Sequence, residues 1–127
     1  MQGKHLYEYA VVRIVPRVER EEFINVGVIL FCKNLNFLRV ICRIDHEKLR
    51  LFDCETETEE LEENLKAFEK ICNGDRDGGP VAQWPMAERF RWLTAVRSSA
   101  IQMSKPHNGF TDDPDRTIQR LFEELVL

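Results

Sequence analysis

Residues 21–32 read EEFINVGVILFC, a near-continuous apolar run that follows two carboxylates and is interrupted by Asn25 and Gly27. Such a run, bounded by charged and turn-prone residues, predicts a buried strand over 24–32. Gly27 weakens a strand unless a bulge or the close approach of another backbone requires the missing side chain, and we expect one of these. A buried Asn25 amide must find hydrogen-bond partners or lose about 1–3 kcal/mol.

Two more strands flank this core strand in the sequence. Residues 6–15 alternate between two faces, as in a half-buried strand, and Pro16 ends the strand because it has no amide hydrogen. Turn-prone residues at 33–36 lead into a third strand over 37–44, which completes an antiparallel meander. The alternation at 100–103 predicts a fourth strand, and the segment PHNG at 106–109 predicts a loop.

Four helices are predicted in the rest of the chain. The first runs from an Asp45 cap to residue 52, and the second from a threonine cap at 56 or 58 to Gly74. The third begins at Pro85 and ends at 94 or 95, and the fourth follows an aspartate cap at 112 or 113. The sequence therefore predicts an α+β fold: an antiparallel sheet of three to four strands with about four helices packed mainly on one face, in a single domain over 1–127.

Composition narrows the function classes. The 127 residues are 43% hydrophobic and 31% charged, which is typical of a soluble globular protein. The net charge of −4 argues against a nucleic-acid coat. No signal peptide or membrane span is visible, so we expect a cytoplasmic protein. The four cysteines form no CxxC pair and have no histidine at zinc-finger distance, so we expect free thiols, no metal and no cofactor.

A second informative stretch covers residues 89–113 and reads RFRWLTAVRSSAIQMSKPHNGFTDD. Arginines at 89, 91 and 97 stand near Ser98 and Ser99, and this combination suits a phosphate or carboxylate because guanidinium groups donate charge-assisted hydrogen bonds in pairs. The alternative is that Arg89 and Arg91 pair with the acidic helix or with Glu21 and Glu22 and only stabilise the fold.

His107 is the candidate catalytic residue. It lies near Asp112 and Asp113, and a histidine close to carboxylates can serve as a general acid or base. The segment offers too few ligands for a metal site, and the two aspartates are better explained as helix caps. No G-x-S-x-G elbow activates a serine, and no glycine-rich phosphate loop is present.

The opening YEYAVVRIVPRVEREEFINVGVILF and the closing RFRWLTAVRSSAIQMSKPHNGFTDDP resemble the two signature blocks of the bacterial family catalogued as domain of unknown function 3037. The resemblance extends over nearly the whole chain. It implies a small stand-alone bacterial protein without an assigned activity. It also implies an accessory role, with a HipA-like kinase as a possible protein partner.

One hypothesis joins the two blocks: their polar residues converge on a pocket at the edge of the sheet. The residues predicted to bind a ligand are Arg13, Glu22, Asn25, Arg89, Arg97, Ser98, Ser99 and His107. The leading interpretation is a binding or accessory module, rather than an enzyme, whose pocket receives a small anionic ligand or an acidic segment of a partner. One alternative is an enzyme acting on a phosphoester or nucleotide, with His107 as acid or base and Arg97 holding transition-state charge. The other is a purely structural protein.

Overall fold

Five antiparallel strands form the sheet of the protein, for which a computed structural model describes residues 4–52, 54, 56–95 and 100–127. The strands are β1 (His5–Ile14), β2 (Ile24–Cys32), β3 (Phe37–Cys42), β4 (Ile101–Met103) and β5 (His107–Thr111). They run in the order β3-β2-β1-β4, and β5 pairs with the other half of the β1 edge that β4 occupies. The α+β fold and the N-terminal meander are confirmed.

Four helices complete the described part of the chain: α1 (His46–Arg50), α2 (Thr58–Asn73), α3 (Met86–Thr94) and α4 (Pro114–Leu125). Their ends follow local chemistry. Asp45 accepts from the backbone of Glu47 and Lys48, Asp113 accepts from that of Arg116, and Gly74 ends α2 with a φ of 71°. A threonine cap on α2 is wrong, because Glu57 holds the cap position and makes no side-chain cap bond. None of these helices is long and apolar enough to cross a bilayer.

Helices cover both faces of the sheet. One face packs on α1, α2 and α3, where Val12 and Ile29 meet residues such as Leu61 and Phe90. The opposite face packs on α4, whose Ile118 and other apolar residues meet Val28 and Leu30. Three helices therefore share one face, and α4 takes the other because β2 carries apolar side chains on both of its faces.

A β-bulge at Gly27 explains how β2 packs against the helices on both faces of the sheet. The register with β1 passes from Val12–Gly27 to Arg13–Asn25, which leaves Val26 as an extra residue. A Cβ atom on Gly27 would lie 2.5 Å from Cys42 Sγ and 2.6 Å from the Ile41 carbonyl oxygen. The expectation of a bulge or a close approach is confirmed, and both are present.

The predicted loop at 106–109 is wrong, because His107–Thr111 forms β5. β4 covers only the end of β1, so the chain returns along the same edge and pairs with the part that β4 leaves free. Ser104 bridges the break between the two strands: its hydroxyl accepts from the Val11 amide at 2.8 Å, and its own amide donates to the Val11 carbonyl. Gly109, which reads as a turn residue, sits beneath Tyr7, whose ring a Cβ atom there would overlap.

Substituting Gly27→Ala should lower the free energy of unfolding by about 1–3 kcal/mol, because the new methyl group overlaps β3. Urea unfolding of wild type, Gly27→Ala, Cys42→Ala and the double variant tests this. The substitution should cost less in the Cys42→Ala background, where one of the two overlapping atoms is gone. An unchanged midpoint for Gly27→Ala would contradict the close approach.

Candidate binding cleft

Two of the predicted site residues, Arg13 and Asn25, lie side by side. They are register partners on β1 and β2, and both project from the sheet face that packs on α4. The Arg13 guanidinium carbon lies 4.0 Å from the centre of the Phe23 ring, which is a cation–π contact. The Asn25 amide nitrogen donates to the Leu125 carbonyl at 3.0 Å and so ties β2 to the end of α4.

Each of these neighbours keeps one buried polar atom without a partner. Arg13 Nε and Asn25 Oδ1 are buried and make no hydrogen bond within the described residues. The first is a donor and the second an acceptor. Because an unsatisfied buried polar group costs about 1–3 kcal/mol, such atoms mark places where a water or ligand is expected.

The structure does not bring Glu22 and Arg89 to this pair. Glu22 is exposed in the segment before β2, where its carboxylate lies 3.8 Å from the Arg20 guanidinium. Arg89 lies on α3, across the sheet from Arg13, and donates from Nη1 to the Trp84 carbonyl at 2.8 Å. It pairs with neither the acidic helix nor Glu22 among the ion pairs of the described residues. The predicted residues Arg97, Ser98 and Ser99 lie outside the described residues.

His107 is exposed on β5, opposite Tyr9 on β1, and the two ring centres are 5.3 Å apart. It shares a sheet face with Arg13 but lies four residues away along β1, or about 13 Å at the rise of a strand. Within the part of the chain described, its ring makes no hydrogen bond with Asp112 or Asp113. The histidine is therefore separated from the Arg13–Asn25 pair.

Asn25 lines two adjoining cavities of about 200 and 290 Å³ at the start of β2. Both cavities share Ile24, Asn25, Lys48 and Val126 as lining residues, and we call the two together the Asn25 cleft. The smaller cavity is also lined by Arg43, Asp45 and Leu127. The larger one adds Phe23, Phe52 and Leu125. The cleft thus has a charged end and an apolar end, with the Asn25 amide in the shared wall.

Arg43 and Lys48 give the charged end a positive character. The Arg43 amide donates to the Val26 carbonyl at 2.7 Å, so the bulge itself positions this residue beside the cleft. Neither cation forms an ion pair with any residue in the described ranges, whereas the Asp45 carboxylate is engaged in capping α1. Neither cation was identified from the sequence. The only sequence feature that points to them is their position, with Asp45, around the turn from β3 to α1.

Two of the cysteine thiols, Cys42 and Cys72, are poor nucleophiles. Burial raises the pKa of Cys42 and of Cys72 to about 12, and the nearby Glu69 carboxylate acts in the same direction. Such thiols stay protonated at neutral pH and are poor nucleophiles. All four cysteines are free, as expected. No group of three or more His, Cys, Asp or Glu side chains is placed to hold a metal ion within the described residues.

The fold and the cleft define an α+β protein in which helices cover both faces of a five-stranded antiparallel sheet. A cleft with a charged end and an apolar end opens where β2 begins. The family model described as "Protein of unknown function (DUF3037)" matches residues 9–126, so the chain belongs to the DUF3037 family. No curated protein and no solved structure gives a significant match. The family assigns no activity, so function has to be argued from the cleft.

The free energy of unfolding should fall above pH 9, because unfolded thiols lose protons there while folded Cys42 and Cys72 keep theirs until about pH 12. The loss should approach about 1.4 kcal/mol per pH unit for each thiol. Urea unfolding of wild type and Cys42→Ala/Cys72→Ala from pH 8 to 11 measures it. All other ionisable side chains are the same in both proteins, so the double variant should differ by a shallower decline. Parallel curves would contradict the raised pKa values.

Proposed function

We propose that the protein is a binding module whose Asn25 cleft receives an acidic segment of a partner protein, with an apolar side chain next to the acid. The observation that carries this proposal is that Asn25, a wall residue of both cavities, has a buried Oδ1 atom with no hydrogen-bond partner among the described residues. Asn25 lies between the charged end and the apolar end of the cleft, so one short ligand can contact both ends and Asn25 together.

An unpartnered carbonyl oxygen favours a ligand that donates a hydrogen bond. A bare carboxylate or a fully ionised phosphate offers only acceptors, whereas an extended peptide offers backbone N–H groups beside its side chains. The Asn25 amide nitrogen is already committed to the Leu125 carbonyl, so its oxygen is the atom left for a ligand. This asymmetry supports a peptide over a simple anion.

Arg43 and Lys48 supply the attraction for the acidic side chain. Both are exposed, and exposed ion pairs contribute roughly 0–1 kcal/mol each, so they favour encounter and orientation more than tight binding. They matter because the protein as a whole carries a net charge of −4, which repels acidic partners elsewhere on the surface.

The apolar end of the cleft has room for one large side chain. Its volume of about 290 Å³ is bordered by Phe23 and Phe52, with Leu125 and Val126 beside them. A HipA-like kinase, which the family resemblance implies as a partner, is one source of such a segment. Catalysis by His107 has less support, because its exposed ring lies beside Tyr9 and makes no hydrogen bond with Asp112 or Asp113 in the described residues.

A capped pentapeptide with leucine between two acidic residues should bind, and the peptide with the corresponding amides should bind at least about five-fold more weakly, since it lacks the charges. Two-dimensional ¹H–¹⁵N NMR titration reads both the affinity and the position. The amides of Asn25, Lys48 and Val126 should shift. Inorganic phosphate, titrated separately, should give smaller shifts because it leaves the apolar end empty.

Two double charge-reversal variants distinguish binding at the cleft from general electrostatic attraction to the protein surface. Arg43→Glu/Lys48→Glu should lower the affinity for the acidic peptide by about ten-fold. Arg20→Glu/Arg116→Glu changes the net charge equally at exposed positions outside the cleft and should retain the affinity. Replacing the amide bond before leucine with an ester removes the N–H donor and should weaken binding further. Equal losses in the two double variants, or shifts confined to other surfaces, would overturn the proposal.

A further inference from the structure

β5 forms an exposed edge of the sheet. It pairs with β1 on one side, and within the described chain no strand pairs with its other side. Its residues are exposed at 107, 108 and 110, so nothing in the described structure covers this edge. Natural proteins usually protect such edges with charged residues, but β5 has none between His107 and Thr111.

Backbone geometry identifies the groups that are free to bond. The Val11 carbonyl accepts from the Ser104 amide, the Val11 amide donates to the Ser104 hydroxyl, and the Val15 amide donates to the Ala100 carbonyl. Odd-numbered β1 residues therefore direct their polar groups toward this edge. Because His107, Gly109 and Thr111 are register partners of odd-numbered residues, they bond to β1. Asn108 and Phe110 therefore direct their N–H and carbonyl groups outward.

The charges that flank β5 are complementary under a two-fold rotation. Lys105 precedes the strand, and Asp112 and Asp113 follow it. When two copies pair antiparallel about Gly109, Asn108 of each copy bonds to Phe110 of the other, and Lys105 comes opposite Asp113 and diagonal to Asp112. The strand at the opposite edge of the sheet, β3, lacks this pattern, because Lys33 precedes it and Arg43 follows it, so like charges would meet.

Apolar side chains support the same arrangement. Leu6 and Phe110 are cross-strand partners and are 51% and 56% exposed. In the self-paired register the two Phe110 residues are diagonal neighbours whose backbone positions are about 7–8 Å apart, which is within reach of aromatic side chains. Pairing would thus bury a Leu6–Phe110 pair from each copy on one continuous sheet.

We propose that β5 is the dimerisation edge of this protein and pairs with β5 of a second copy through an isologous, antiparallel contact. The inference is independent of the Asn25 cleft, which lies at the start of β2 and contributes no residue to the proposed dimer interface. A five-residue strand forms few hydrogen bonds, so the dimer is weak and depends on concentration.

Sedimentation equilibrium from micromolar to millimolar protein measures the association constant of the dimer. Charge-swap variants of the residues that flank β5 test the proposed contact. Lys105→Glu and Asp112→Lys should each lower the association constant by about ten-fold, because symmetry makes every substitution act twice. The combined variant restores opposite charges between positions 105 and 112, while Asp113 stays acidic, and should therefore associate more tightly than either single variant. Asp113 is left unchanged since it caps α4.

A second variant tests strand pairing itself. Asn108→Pro removes an outward N–H group without removing a hydrogen bond to β1, and should abolish the dimer while far-UV circular dichroism stays unchanged. A monomer at all concentrations, or a double charge variant that associates no better than the single ones, would overturn the proposal. Association that is unaffected by Asn108→Pro would place the interface elsewhere and would also overturn it.

Discussion

The register shift between β1 and β2 at Gly27 is the constraint on which the rest of the structure depends. Before the bulge, Ile24 and Val26 point toward the α2 layer, and after it Ile29 and Phe31 do so, although simple alternation would place these two pairs on opposite faces. One extra residue therefore keeps both ends of β2 in the same core. It also places Asn25 on the α4 side, next to Arg13.

Much of the fold was accessible from sequence because its signals are local. The Asp45 and Asp113 caps, the Gly74 helix end and the start of α3 after Pro85 each depend on a few neighbouring residues, and the structure agrees with all of them. β5 was missed for the opposite reason. Its segment contains Asn108 and Gly109, which favour a turn, and it becomes a strand because β1 offers an unpaired edge and Tyr7 needs the space above Gly109.

The candidate site could be predicted from the sequence only in part. Asn25 stood out because an amide inside an apolar run must be satisfied, and it does line the cleft. Arg43 and Lys48 could not be identified, since solvated cations near a helix start are common and only the folded structure shows that both line the cleft beside Asn25. Arg89 shows the converse: its place in an Arg-rich block suggested a ligand, whereas in the fold its guanidinium bonds the Trp84 carbonyl beside the end of α2.

The Asn25 side chain also connects the cleft to the opposite helix layer. Its nitrogen donates to the last turn of α4, while its oxygen is buried and has no hydrogen-bond partner among the described residues. An amide is a rigid planar group, so a ligand that bonds the oxygen restrains the nitrogen at the same time. Occupation of the cleft should therefore strengthen the link between β2 and Leu125, and α4 is the element through which binding at the start of β2 would be felt elsewhere in the protein.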